Sequence, residues 1–244
     1  MDDIKNRIVN IFENKNIEEG FRLELHMHTS EASKCASMDG RTAVRMYKEL
    51  GYDGIVVTNH FINGNTSVDR ELPWEEQMDN FFKGYDVAYD EGQKVGLKVF
   101  CSFEFNYNST EFIVLGISKQ WLKEHEEVMQ MTPEEFIPYF QNNGGYVIQV
   151  HPYRYAWYID IARPYAYLVD AVEVINVGNK IPESDAWASR IAEIYNKPIV
   201  AGSDCHHYGS GYGAGVVLKE IPQDENDLIR ILRKNEHSVF GREA

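Results

Sequence analysis

The sequence predicts a single α/β domain built on a mainly parallel sheet, and three observations carry that expectation. Short apolar runs alternate with amphipathic helical stretches, the pattern of strands joined by helical crossovers. No repeat, low-complexity tract or Pro/Gly-rich linker divides the 244 residues, a length common for one α/β barrel. The chemically unusual residues collect just beyond the apolar runs, where parallel barrels place their active sites.

Taken in order, the first strand is FRLELH (21–26), followed by a helix over 40–50 and the strand GIVVT (54–58), apolar up to its closing Thr58. A long helix over 73–95 leads to LKVFCSF (97–103) and EFIVLGI (111–117). No helix fits between these two strands, so they are joined directly. The helix over 133–142 announces itself as Thr132-Pro133-Glu134-Glu135: a cap, proline at the first helical position and acids in the first turn. Then come the strand YVIQV (146–150), the strand AVEVI (171–175), a helix over 183–196, the strand PIVAG (198–202) and a helix over 225–235.

Composition sets limits on function. With 43% apolar and 25% charged residues the chain is an ordinary globular sequence. Its formal charge of −14 argues against a long duplex nucleic-acid partner, which requires many cationic contacts to phosphates. A small phosphorylated substrate stays open, because bound cations invert the field inside one pocket. Cys35, Cys101 and Cys205 are odd in number and widely spaced, which fits a reducing compartment. The start, MDDIKNRIVNIFENKN, lacks the features of a signal peptide, and no apolar run is long enough to span a bilayer. A cytoplasmic location without membrane contact is the resulting expectation; oligomeric state is not legible.

Of eight histidines, six (His26, His28, His60, His151, His206 and His207) lie at or just past strand ends, whereas His125 and His237 do not. His26 and His28, two apart, project from one side of an extended chain, a natural bite for one cation. Glu104 ends the third strand, where an unpaired buried carboxylate is costly unless a cation offsets it. Asp204 and His206 close the last. Any one of these could be a satisfied core group; their coincidence points to a metal centre.

The series His26-Met27-His28-Thr29, Thr58-Asn59-His60, Phe103-Glu104, His151-Pro152 and Gly202-Ser203-Asp204-Cys205-His206 resembles the PHP family, named for polymerase-associated domains and histidinol phosphatases. The blocks occur in family order across about residues 21–215. The resemblance implies a distorted seven-stranded, TIM-like (β/α) barrel over the whole chain, 1–244. It also implies two or three divalent cations (Mn, Zn or Fe) and hydrolysis of a small phosphomonoester, nucleotide or short oligonucleotide by a metal-bound hydroxide. By the same resemblance His26, His28 and Asp204 bind the first metal, Glu104 bridges to a second held by His151, and His60 and His206 serve a third. Mixed imidazole and carboxylate ligands do not discriminate among these metals.

Two positions depart from the family pattern. Asn59 stands where many relatives carry an acid, and Lys34 stands where three-metal relatives carry a further histidine. Either Lys34 replaces the third cation as a fixed charge, or Glu31 or Asp39 supplies the ligand; Glu31, in the same short loop, is the preferred candidate. Arg154 is placed to grip a phosphoryl group in bidentate fashion or to form a salt bridge. His207 is either a proton donor to the leaving group or a solvated neighbour of His206. Glu173 and Asn176 are expected to face the pocket, and Cys205 to pack away from it. The aromatic stretch from Tyr153 to Tyr167 is either a wall for a ring-bearing substrate or packing. Glycines 209, 211, 213 and 215 read as a flexible loop. Two other functions stay open: amidohydrolase-like cleavage of C–N bonds, and a non-catalytic metal-bearing accessory module.

Overall fold

A computed structural model describes residues 19–241; the N-terminal stretch read above for a signal peptide lies outside the described residues. One sheet contains nine strands: β1 (Phe21–Met27), β2 (Gly54–Val57), β3 (Lys98–Tyr107), β4 (Thr110–Leu115), β5 (Tyr146–Gln149), β6 (Ala171–Asn176), β7 (Ile199–Gly202), β8 (Gly215–Leu218) and β9 (Ser238–Phe240). Their spatial order is β7-β6-β5-β4-β3-β2-β1-β8-β9. The helices are α1 (Gly40–Glu49), α2 (Trp74–Phe81), α3 (Lys83–Val95), α4 (Lys119–Glu124), α5 (Pro133–Asn142), α6 (Pro182–Ile194) and α7 (Glu225–Lys234). None is long and apolar enough to cross a membrane.

All seven expected strands form, and six of them run parallel. The exception is β4, antiparallel to both β3 and β5. Asn108 and Ser109, at φ of 49° and 64°, make the two-residue turn that joins β3 directly to β4. The expected seven-stranded barrel is corrected to a nearly closed sheet of nine strands. The reason lies at the free edge of β1, which is shared. Its first half, Phe21 to Leu23, pairs antiparallel with β8. Its last half meets the chain just after β7: Asp204 N donates to His26 O at 2.8 Å and His28 N to Cys205 O at 2.9 Å. The sheet therefore closes at the rim formed by the parallel strands' C-terminal ends. Between the opposite halves of β1 and β7 the antiparallel pair β8–β9, whose strands are joined through α7, is inserted.

Three apolar clusters hold this arrangement. Leu23, Leu25, Val56, Phe100, Ile113, Ile148 and Val200 fill the inside of the sheet, capped by Leu228, Ile229 and Leu232 of α7. Outside, Val44, Tyr47, Ile55, Ala88 and Val99 pack α1 and α3 on β2 and β3. The phenylalanines 61, 81, 103, 105, 112, 136 and 140 pack α2 and α5 on β3 and β4. The single helix expected over 73–95 is two helices meeting at Phe82; Phe81 and Phe82 are both buried, and their rings cross edge to face.

Candidate metal centre

Strand alternation alone would not aim both His26 and His28 inward. Leu25 belongs to the inner core and Met27 to the outer one, so the side chains lose their alternation between them. A bulge in the pairing of β1 with β2, between Glu24 and Met27, makes this change and turns both imidazoles into the barrel mouth. On β3 plain alternation suffices: Phe100 and Glu104 face in while Val99, Phe103 and Phe105 face out. His151 and Asp204 are turned into the mouth by left-handed backbone, at φ of 30° and 56°. Such conformations cost non-glycine residues about 1–3 kcal/mol and concentrate at functional sites.

These elements gather the donors into overlapping triads: His26, His28 and Asp204; His26, Glu104 and His151; His28, His60 and His206; and His60, Glu104 and Glu111. Glu104 sits at the centre. Its Oε1 is 3.2 Å from His26 Nε2 and 3.3 Å from His151 Nε2; its Oε2 is 2.5 Å from His60 Nδ1 and 3.7 Å from His28 Nε2. Asp204 Oδ1 is 3.3 Å from His26 Nε2 and 3.1 Å from His28 Nε2.

A surrounding layer of hydrogen bonds fixes which nitrogen each histidine presents. Glu173 Oε1 lies 2.9 Å from His26 Nδ1, and its Oε2 accepts from His151 N and Asn176 Nδ2. A carboxylate acceptor keeps the proton on Nδ1 and leaves the Nε2 lone pair facing the cluster. His28 is set by a relay. Asn59 Oδ1 accepts from Thr29 N at 2.6 Å and from Ser33 Oγ at 2.9 Å, while Asn59 Nδ2 donates to Thr29 Oγ1. The single Ser33 hydroxyl proton is thereby used, so Ser33 Oγ accepts from His28 Nδ1 at 3.1 Å. Asn59, the departure from the family pattern, thus supplies an acceptor and a donor at once. Glu24 stitches the seam where the sheet closes, accepting from His26 N, Ser203 N and Tyr47 Oη.

Electrostatics follow from burial of so many ionisable groups. Burial would raise the Glu104 carboxyl, but the His60 charge, a hydrogen bond from His151 and the close His26 imidazole hold it well below the usual range. Asp204, also pushed up by burial, is held well below it by Arg154 and His26. Burial would lower His26, yet the Asp204 and Glu173 charges hold it well above an ordinary imidazole. Burial and the His206 and His60 charges drive His28 well below.

The residues fit divalent cations. His26 Nε2, His28 Nε2, His60 Nδ1 and Glu104 Oε2 are buried without a hydrogen-bond partner, although each lies close to an opposite donor or acceptor. Buried polar atoms are almost always hydrogen-bonded. Converging lone pairs of imidazole and carboxylate instead match the donor set of Zn, Mn or Fe.

Several expected residues lie elsewhere. Both Glu31 oxygens accept from Gly40 N, at 3.0 and 3.2 Å, so Glu31 anchors the start of α1 and belongs to none of the ligand triads. Asp39 caps the same helix through Thr42 N, and Lys34 is exposed. The loop here pairs at Ser33 with Thr66, and Lys34 turns outward. Its neighbour Cys35 lies against His206 and His60; burial pushes the thiol up, but these two imidazoles bring it down to about 6. Arg154 Nη2 contacts Asp204 Oδ2 at 2.5 Å and Asn176 Oδ1 at 2.7 Å, so its first task is holding Asp204. His207 stands exposed at the rim, its Nδ1 2.9 Å from Ser37 Oγ. Cys205 is fully buried, packed away from the cluster with Met27 and Tyr47. On the loop after Arg154, Tyr155 and Trp157 are 74% and 95% exposed, while Tyr153 packs on Trp187 and Tyr165 on Phe112.

Glu111 was not anticipated. It is the second residue of β4, and a search confined to the C-terminal ends of parallel strands passes over it. The signal that finds it is hairpin register: Asn106 pairs with Glu111 and Glu104 with Ile113, so Glu104 and Glu111 project from the same face.

No family model matches the chain, and no curated protein matches it. Solved structures do. One is a two-domain protein of Bacteroides vulgatus containing a PHP-like metal-dependent phosphoesterase, itself assigned by prediction. It is 15% identical with a TM-score of 0.63, over 93% of this chain and 68% of that one. A candidate metal-dependent phosphoesterase of Bifidobacterium adolescentis is 15% identical with a TM-score of 0.57, over 88% and 97% of the two chains. An amidohydrolase of Chromobacterium violaceum is 12% identical with a TM-score of 0.56, over 90% and 98%. The chain therefore has the fold of the PHP-like metal-dependent phosphoesterases, with a buried imidazole–carboxylate cluster suited to divalent cations at its closed rim.

Proposed function

We propose that the protein hydrolyses a small phosphoester at this cluster with the help of divalent cations. The observation that carries the reading is the set of buried, unpartnered atoms, His26 Nε2, His28 Nε2, His60 Nδ1 and Glu104 Oε2, that converge on shared space. In this reading His26, His28 and Asp204 hold one cation, Glu104 and His151 a second, and His60 and His206 a third. When bound, such cations polarise a phosphoryl oxygen and lower the pKa of water.

The chain's own groups do the rest. Glu173 and the Asn59–Ser33 relay engage Nδ1 of His26 and of His28, so that Nε2 is the nitrogen each presents to the cluster. Arg154, held by Asp204, Asn176 and Asn179, brings a fixed positive charge beside the cluster. It borders a narrow cleft also lined by Glu111, His151 and Arg163. There its charge favours phosphoryl oxygens and offsets the acidity of the chain as a whole.

The test is a screen of phosphomonoesters and diesters with Mn, Zn and Fe, measuring phosphate or alcohol release. Asp204→Asn and His151→Ala are expected to abolish turnover while remaining folded; full turnover by both variants would remove the proposal. The amidohydrolase neighbour keeps C–N hydrolysis as the second reading, and amine release without phosphate release from the same panel would favour it.

A further inference from the structure

We propose that Glu111 is a cation ligand, forming with His60 and Glu104 a position on the β3–β4 side of the cluster. The inference rests on the reading of the cluster as a metal centre and adds to it a carboxylate from the antiparallel strand. Glu111 is buried, 7% exposed, beside a second buried carboxylate. Its Oε1 is 3.6 Å from His60 Nδ1 and its Oε2 3.6 Å from His151 Nε2. Its side chain receives one hydrogen bond, from Asn106 Nδ2 at 3.2 Å.

Glu104 and Glu111 project from one face of the β3–β4 pair with His60 Nδ1 close to both, and the three donor atoms lie within 4.8 Å of one another. Arg154, which lines the same cleft as Glu111, is already in contact with Asp204. The imidazoles facing Glu111 stand off at more than hydrogen-bonding distance. Donor atoms on arms of about 2.1 Å around one cation are separated by roughly 3.0–3.4 Å, close to the spacing seen here. A position with two carboxylates and one imidazole is harder than the all-imidazole triad of His28, His60 and His206, so it suits Mn or Fe better than a thiophilic ion.

The experiment is a calorimetric titration of metal-stripped protein with Mn2+, backed by elemental analysis after dialysis, on wild type and Glu111→Gln. The variant keeps shape and an acceptor for Asn106 but loses the charge. The wild type is expected to take one equivalent more, or to bind its weakest equivalent at least tenfold tighter, with the remaining equivalents unchanged. Saturating Mn2+ is also expected to raise the wild-type Tm more than the variant's. Should the glutamine variant misfold, Glu111→Ala reads the same equivalents. Identical stoichiometry and constants in the two proteins would overturn the proposal and leave Glu111 only a hydrogen-bond acceptor for Asn106. No bound Mn2+ in either protein, with none of the other cations bound, would instead overturn the metal-centre reading beneath it.

Discussion

Replacing Glu173 by glutamine tests whether the hydrogen-bond layer controls the metal ligands. Glu173 serves three donors: His26 Nδ1 on one oxygen, His151 N and Asn176 Nδ2 on the other. Glutamine has one oxygen and one amino group at these places. Two of the donors sit on one side, so the oxygen settles there and the amino group faces His26. His26 then accepts at Nδ1, its proton moves to Nε2, and the lone pair aimed at Glu104 and Asp204 is lost. A hydrogen bond to a charged group contributes about 1.5–3 kcal/mol. Loss of a partner that orients a ligand lowers metal affinity by about 10–100-fold, which is about 1.4–2.7 kcal/mol and so agrees with that figure. Competition with a chromophoric chelator measures the affinity, and urea unfolding of the stripped protein checks that the fold survives. Wild-type affinity in a folded Glu173→Gln variant would refute the tautomer argument.

Other consequences are as specific. A Cβ at Gly202 would stand 2.4 Å from His26 Cβ and 2.6 Å from Glu173 Oε1; Gly202→Ala is expected to destabilise by about 1–3 kcal/mol and to weaken metal binding, and neutral behaviour in urea and chelator assays would contradict the packing. Burial raises the Glu24 carboxyl from 4.5 to about 7. Between those values the folded protein holds a proton that the unfolded chain releases, so stability present below pH 4.5 declines as pH rises through 7. The loss is on the order of 3 kcal/mol, and urea titrations of stripped protein should show it in wild type and not in Glu24→Gln. Cys35 is brought down to about 6, whereas burial pushes Cys205 up to about 12 and Cys101 well above the ordinary thiol range. Iodoacetamide at pH 7 is expected to modify Cys35 first, more slowly when the cluster is loaded; equal labelling of all three would count against the described environment.

Much of the site was legible because its signals are local. Thr132-Pro133-Glu134-Glu135 marks a helix start without reference to the rest of the fold, and α5 begins at Pro133. Histidines at the ends of apolar strands need only the rule that such ends converge. What stayed hidden depends on tertiary pairing. Gly215 opens β8, yet glycines at 209, 211 and 213, with φ of 76°, 64° and 108°, make the whole stretch read as a loop. The bulge that aims His26 and His28 inward appears only once β1 is set against β2. Lys34 drew attention by its place in the family pattern, but the Ser33–Thr66 pairing turns it outward and leaves Cys35 against the imidazoles. Glu111 was missed because its strand runs against the others.

The most direct test is anomalous diffraction from crystals of the protein grown with Mn2+ or Zn2+, collected at the metal's absorption edge. The account predicts peaks within roughly 2.0–2.3 Å of His26, His28, Glu104, His151 and Asp204 donor atoms. Anomalous density only at surface carboxylates, with the rim of the sheet filled by water, would contradict it.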